Sequence, residues 1–383
     1  MSLRVCFVTR DYLREVPEGQ REGSKRIVRC AQDLGIDTQV ITIEGFNSEA
    51  ESHNVHAISL PYESDLLNGR IASDLSEAFE IGAVASSLRP QVVHFLGSLS
   101  PLRAAVFASV IKALSPRIRT ILHFYGSDMP ARTRVLVGRT LVFDRLFLTS
   151  DVLRERLIES GTEARKLCYV PIPVPRQKRH NGNKSLARQI RDCPVDSPLI
   201  AYAGSLVPER GVYTLLDAMH IILREMPDVV LYVTHPEIRY RKEDSNLVGD
   251  FLRAIKEKSL EGRVLVAGRE DLNEVYNMSD AIVLPFRNDY VHTVPPLLLL
   301  EAVASGTPVV ATPILGVRSS TLRMPFLARF NDHVSLAKQV LLVLRKPEAR
   351  LIAAAARDAL CHHFSVEQVG KRLVDAYVDA VGS

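Results

Sequence analysis

Short runs of valine, isoleucine and leucine alternate with helix-length segments almost from one end of this chain to the other, and few folds accept that alternation. In the first half Arg4–Thr9, Thr38–Ile43, Val55–Leu60, Val92–Leu96, Thr120–Tyr125, Arg145–Thr149 and Leu167–Pro171 read as strands. In the second half Leu199–Ala203, Val229–Thr234, Arg263–Ala267, Ala281–Pro285 and Pro308–Thr312 do so. Between them lie helical patterns such as Lys25–Leu34, Ser76–Leu88, Val212–Arg224 and Val248–Lys258. Apolar runs without polar alternation are strands buried on both faces, as in a parallel sheet. The βα succession therefore predicts a doubly wound α/β architecture.

The succession stops between Pro171 and Pro198. Pro171-Ile172-Pro173-Val174-Pro175 cannot feed a helix, because proline lacks the amide donor and restricts its predecessor. A polar stretch holding Asn181, Gly182 and Asn183 follows, and a new strand–helix series begins at Leu199. Two Rossmann-like domains are expected, 1–175 and 199–363, joined by a linker at 176–198. With 383 residues to bury, two cores are the natural count. Such domains are expected to face each other across a cleft at the carboxyl ends of their sheets, where ligands sit. The end of the chain, 364–383, is a helix: Ser365 is its N-cap, Gln368 stands three residues on, and Val366, Val369, Leu373, Val374, Tyr377 and Val378 recur at helical spacing.

Composition narrows the function. A net charge of +4 with no concentrated basic face argues against nucleic-acid binding. The basic cluster Arg239-Tyr240-Arg241-Lys242 reads as a solvated loop. Five scattered cysteines without a C-x-x-C pair argue against a disulfide framework or a zinc site, and Cys361-His362-His363 reads as a polar helix end. No apolar stretch is long enough to span a bilayer, and the start of the chain is a short β-branched run rather than a signal peptide. The expected location is cytoplasmic, with the inner membrane face left open.

Two segments carry chemistry. In Tyr202-Ala203-Gly204-Ser205-Leu206-Val207-Pro208-Glu209-Arg210-Gly211-Val212 a strand ends, glycine permits a close turn and a helix opens. Such a turn presents backbone N–H groups, and Arg210 adds a fork of donors suited to a diphosphate. An ordinary βα turn with a solvated arginine reads the same residues more plainly. In Thr293–Thr312, Pro295 and Pro296 start a helix that stops at Gly306, and a buried strand follows. Glu301 falls in this otherwise apolar helix, on the face of Leu297. A carboxylate there either accepts from the vicinal hydroxyls of a ribose or pairs with an arginine or water.

The second segment resembles the signature of the retaining, nucleotide-sugar-dependent glycosyltransferases of family 4: a helix carrying Glu-x7-Glu, then Ala-(small)-x-(small)-Gly-x-Pro-Val-Val-Ala. The first resembles that family's Gly-Arg-Leu-x-x-x-Lys-Gly turn. Leu122-His123-Phe124-Tyr125-Gly126-Ser127-Asp128 is similar to its His-Gly-Ser-Asp turn, and Phe364-Ser365-Val366-Glu367 to the start of its last helix. Asp271–Tyr276 and Ser279–Pro285 are similar to a further stretch.

The resemblance implies the GT-B fold, with the last helix crossing back onto the N-terminal domain. It implies transfer of a hexosyl group from a nucleotide-diphosphate sugar to an acceptor hydroxyl, with retention by front-face attack. That route needs positioning and charge stabilisation rather than a protein nucleophile, and no Gly-x-Ser-x-Gly motif occurs. No cofactor is implied beyond the sugar nucleotide as co-substrate. No metal is implied either, in keeping with the absence of Asp-x-Asp from the sequence. The implied partners are that donor and an unidentified acceptor, with peripheral membrane association left open.

By the same resemblance Glu301 holds the donor ribose, while Arg210 and the amides of Leu297 and Leu298 hold the diphosphate. Gly204 and Ser205 line the turn, and Gly23, in the loop after the first strand, approaches the phosphates. Thr293 stands where the family has its first signature Glu, Ser205 where it has an arginine, and Tyr125 where it has a histidine. His123 shares a strand face with Tyr125 and is the candidate replacement. Asp128 either touches substrate or caps the helix after Met129. These departures keep a second expectation in view, a GT-B protein that binds a nucleotide or a partner without catalysing transfer.

Overall fold

The computed structural model describes residues 3–10, 12, 19–44, 54–59, 70–97, 99–125, 135, 142–174, 184–236, 246–288, 295–318 and 324–382. The chain divides into two compact units, Met1–Pro173 with Phe364–Ser383, and Val174–His363. Each is a parallel sheet covered by helices.

The first unit holds β1 (Arg4–Arg10), α1 (Gly19–Asp33), β2 (Asp37–Glu44), β3 (Val55–Ser59), α2 (Arg70–Leu88), β4 (Val92–Phe95), α3 (Pro101–Leu114), β5 (Arg119–Phe124), β6 (Arg145–Leu148), α4 (Asp151–Glu159) and β7 (Leu167–Tyr169). The strands lie in the order β3-β2-β1-β4-β5-β6-β7, all parallel. On one sheet face Cys6, Val8, Val93, Phe95, Leu122 and Leu146 form a core with Ala78 and Ile81 of α2 and with Phe107 and Ile111 of α3. Because β residues alternate faces, Phe7, His94, His123 and Phe147 emerge on the other.

That second face receives the last helix. In the second unit come α5 (Lys184–Gln189), β8 (Leu199–Ala203), α6 (Val212–Glu225), β9 (Val230–Thr234), α7 (Leu247–Glu257), β10 (Val264–Ala267), α8 (Leu272–Met278), β11 (Ala281–Leu284), α9 (Leu297–Ser305), β12 (Val309–Ala311), α10 (Leu315–Arg318), β13 (Phe326–Leu327), α11 (His333–Arg345) and α12 (Glu348–Phe364). The chain then ends in α13 (Val366–Gly382), which belongs to the first unit. Ser365 Oγ accepts from the Gln368 amide at 3.2 Å, the cap expected from the sequence. Val369, Leu373, Ala376, Tyr377 and Ala380 are buried at helical spacing. Gly370 lets α13 approach α1, since a Cβ there would stand 2.7 Å from Leu34 Cδ1. Tyr377 Oη lies 2.6 Å from His94 Nδ1, and Arg145 pairs with Asp379 at 2.7 Å.

His94 and His123 stack with ring centres 5.3 Å apart, both fully buried. His123 Nε2 donates to the Val170 carbonyl at 2.8 Å. Burial holds the His123 imidazole down to about 3 and the His94 imidazole well below its usual value. Both are therefore neutral in the native protein but take protons near pH 6.5 when unfolded. The unfolded chain binds more protons from pH 6.5 downward, so acidification destabilises the fold by about 1.4 kcal/mol per pH unit for each histidine. The melting temperature of the wild type is expected to fall more steeply between pH 7 and pH 5 than that of His123→Phe. Parallel slopes would contradict this.

The second sheet runs β10-β9-β8-β11-β12-β13, again parallel throughout. Its core joins Ile200, Leu231, Val283 and Val310 of the strands to Val212, Leu216 and Met219 of α6 and to Leu336 and Val340 of α11. The stretch expected as a linker, 176–198, carries α5. There Arg188, 4% exposed, donates to the carbonyls of Met278, Val195 and Ser197 and pairs with Asp280. A buried guanidinium satisfied on all sides ties this stretch to the second unit.

Candidate functional site

The helical connections on either side of β8 and β11 leave in opposite directions, β8 toward β9 and β11 toward β12. That is a topological switch point, where parallel α/β sheets open a crevice beyond the carboxyl ends of their strands. The residues singled out in the second unit gather there.

Beyond β8 the chain turns through Gly204, with φ +145°, and its amide donates to Thr234 O at the end of β9, 3.1 Å away. Tyr202 Oη donates to the Ser205 carbonyl at 2.7 Å and holds the turn from beneath. A single 3₁₀ turn at Pro208–Arg210 then leads to Gly211, in the left-handed region at φ +77°. Only glycine fits: a Cβ at 211 would lie 1.7 Å from the Pro285 carbonyl oxygen. The Arg287 amide donates to the Glu209 carbonyl at 3.1 Å, so the turn is fastened to the segment following β11.

This fastening aims Arg210. Its guanidinium carbon lies 5.6 Å from the Phe286 ring centre, a cation–π contact. Among the described residues no carboxylate or carbonyl engages that guanidinium. Thr312 Oγ1 donates to the Phe286 carbonyl at 2.8 Å and fixes the platform from β12.

The amino end of α9 comes to the same place. Pro296 precedes its first turn, and the Leu299 and Leu300 amides donate to the Pro296 carbonyl. The Leu297 and Leu298 amides begin the helix and have no intrahelical acceptor. Tyr276 Oη donates to the Leu298 carbonyl at 3.3 Å, and Thr307 Oγ1 to the Tyr276 carbonyl at 2.8 Å. Leu298 Cδ2 lies 3.7 Å from where a Gly204 Cβ would stand, so the helix start abuts the β8 turn. Glu301, partly buried, follows one turn later. A cation and two helix-start amides thus meet at one strand crossing, with a carboxylate one turn further along the same helix. Chemically this set takes an anion beside a group that donates hydrogen bonds.

Ser205 is 6% exposed, and its Oγ has no hydrogen-bond partner among the described residues. Thr293 and Asp128 lie outside the described residues.

The first unit brings its candidates together differently. Gly23 lies within α1, not in a loop. The helix starts at Gly19 because Ser24, Ile27, Val28 and Ala31 are buried at helical spacing, which outweighs the polar opening of the sequence. A Cβ at Gly23 would meet Ile172 Cδ1 at 2.7 Å and Tyr125 Cε2 at 3.6 Å. The Tyr125 ring fills the space above Gly97, at the ends of β4 and β5, and is 5% exposed. Burial pushes its phenol well up, so it is neutral. His123 packs edge-on beneath Tyr125 at 4.8 Å, fully buried. It holds the segment leading from Val170 to Ile172 rather than standing open to a ligand.

Phe286, Gly97 and Ile172 were not among the expected site residues, nor was Tyr276, which the sequence marked only as the end of the stretch Asp271–Tyr276. An aromatic residue immediately after a strand-ending proline was the available signal for Phe286. The other three are defined by contacts between distant segments.

Residues 197–346 match the family model described as Glycosyl transferases group 1. The D-inositol 3-phosphate glycosyltransferase of Saccharomonospora viridis is 26% identical over 272 residues, covering 67% of this chain and 61% of that protein. The chain thus spans less than two thirds of the length of this relative, and 47% of a second one with the same name from Actinosynnema mirum. Among solved structures, a glycosyltransferase from Rickettsia africae superposes with a TM-score of 0.80 at 16% identity, over 99% of both chains. Anabaena HepE in complex with UDP-glucose superposes with a TM-score of 0.73 at 15% identity, over 97% of this chain and 98% of that one. At these identities the likeness is one of fold.

Proposed function

We propose that the protein is a retaining glycosyltransferase of family 4 type. It moves a hexosyl group from a nucleotide-diphosphate sugar to an acceptor hydroxyl without a metal ion. The reading is supported by Arg210 and the Leu297 and Leu298 amides coming to the β8/β11 switch point, with Glu301 one turn further along α9. The site lies in the part of the chain that matches the group 1 model, and the Anabaena protein of similar fold was crystallised with UDP-glucose.

In the reaction the acceptor oxygen bonds to the anomeric carbon as the bond from that carbon to the phosphate oxygen breaks. The acceptor proton passes to the departing phosphate on the same face, which keeps the anomeric configuration. Arg210 and the two amides stabilise the charge that grows on the diphosphate. Glu301 accepts from the ribose hydroxyls and fixes the donor in place. Gly204 and Ser205 give the diphosphate close access to the turn, and Thr293 meets the donor sugar.

Tyr125, packed over Gly97 and against Gly23, stands on the acceptor side. His123 acts through the backbone it holds and contacts neither substrate. The acceptor is a glycan, lipid or small-molecule hydroxyl.

Incubation with UDP-, GDP- and ADP-hexoses and a panel of glycosyl acceptors, followed by proton NMR of the new anomeric signal, tests the proposal. A product with the donor's own anomeric configuration is expected. An inverted product rules out front-face transfer. Tight nucleotide binding with neither transfer nor hydrolysis would favour a silent binder, for which the unpartnered hydroxyl of Ser205, at the family's arginine position, would be the physical motive.

A further inference from the structure

We propose that the second unit carries a separate site for a phosphate-bearing anion, at the end of its sheet opposite the candidate donor site. A cavity of about 560 Å³ opens there between α5, the C-terminal end of α11 and the start of α12. Pro198 and Pro308, directly before β8 and β12, line it together with Asp280, directly before β11.

Its charge is unbalanced. Lys184, Arg188, Arg345, Lys346 and Arg350 line the cavity against two carboxylates, Asp280 and the exposed Asp196. Asp280 alone serves three of these cations, accepting from Lys184 Nζ at 2.6 Å, Arg188 Nη2 at 2.8 Å and Arg350 Nη2 at 3.3 Å. It also accepts from the Leu199 amide at 2.8 Å. Arg188 is committed to the fold through its three carbonyls, and Arg345 pairs with Glu225 at 2.9 Å. Lys346 has no carboxylate partner among the described residues, and Arg350 is 71% exposed with only a share of Asp280.

One carboxylate divided among three cations leaves positive charge facing a concave, solvent-filled wall, and such concavities concentrate the field. Phosphate suits this setting, because arginine and lysine together supply a planar fork and a mobile point charge. The volume accommodates a diphosphate or a sugar phosphate. Strand β11 links the two ends of the sheet: it leaves Asp280 and reaches Pro285 and Phe286, the partners of Gly211 and Arg210, about 17–20 Å away along the chain.

Calorimetric titration with pyrophosphate at low ionic strength tests the site on three proteins. Wild type is expected to show two binding events. Arg210→Ala, which disables the candidate donor site, is expected to keep one. The double variant Lys346→Glu/Arg350→Glu is expected to lose that one, with at least tenfold weaker binding, and to keep the other. Lys346→Glu alone, at an exposed position whose side chain makes no hydrogen bond or ion pair among the described residues, guards against a folding defect and is expected to weaken the same event.

Sedimentation with phosphatidylcholine vesicles, with and without phosphatidylglycerol, identifies the source. Pelleting that depends on the anionic lipid and is lost in the double variant assigns a lipid headgroup, whereas pyrophosphate binding alone assigns a soluble phosphate ester. Pyrophosphate binding undiminished in the double variant, or absent from Arg210→Ala, overturns the site. Loss of only the event sensitive to Arg210 bears on the donor site instead.

Discussion

Gly211→Ala is expected to lower the stability of the protein by about 3 kcal/mol or more. Two costs add. A side chain at φ +77° pays for the left-handed conformation, and its Cβ falls 1.7 Å from the Pro285 carbonyl oxygen. No rotamer relieves that overlap, because a Cβ cannot rotate away and the obstacle is backbone. Either the β8 turn or the segment after β11 has to move, and with it goes the bond from the Arg287 amide to the Glu209 carbonyl. Urea unfolding followed by circular dichroism measures the loss. An unchanged midpoint would mean that the turn does not lie against Pro285. Transfer activity is expected to fall as well, because the same displacement carries Arg210 off the Phe286 ring.

Arg210→Ala separates function from stability. The guanidinium touches the face of Phe286 and makes no ion pair among the described residues. Its removal costs about 0.5–1 kcal/mol of folding energy. Against a developing diphosphate charge the same group is worth far more, so kcat/KM for transfer is expected to drop about 100-fold or further. Arg210→Lys, which keeps the charge but loses the fork, is expected to recover part of the activity. A variant as active as wild type would remove Arg210 from the site. A variant that unfolds would show that the arginine serves the fold.

Much of this molecule is legible in its sequence because parallel strands buried on both faces are written as uninterrupted apolar runs. Leu199–Ala203 matches β8 at both ends, and the remaining expected strands differ by one or two residues at their edges. Strand β13 escaped notice because Phe326–Leu327 is two residues long, too short to carry a period. Helix α1 begins earlier than expected: its opening residues are polar, and only the burial of Ser24 and Ile27 reveals the face.

In the second unit the candidate site was legible where chemistry sits in one segment, as with Gly204 to Gly211 and Leu297 to Glu301. It was not legible where the work is done by contact between segments. Nothing near Arg210 in sequence announces Phe286 as its platform. Nor does His94 announce Tyr377, 283 residues away and bonded to it in the core. His123 shows the limit from the other side. The strand-face argument correctly put it beside Tyr125, yet alternation on a strand cannot say whether a face meets solvent or, as here, a helix arriving from the far end of the chain.

The central claim is that a nucleotide donor binds at the β8/β11 crossing through Glu301 and Arg210. The most direct measurement is calorimetric titration of wild type and Glu301→Ala with UDP, GDP and ADP. One nucleotide is expected to bind wild type, and Glu301→Ala is expected to bind it at least tenfold more weakly, the loss of a charge-assisted pair of hydrogen bonds. Equal affinity in both proteins, or no binding of any of the three to wild type, would contradict the account.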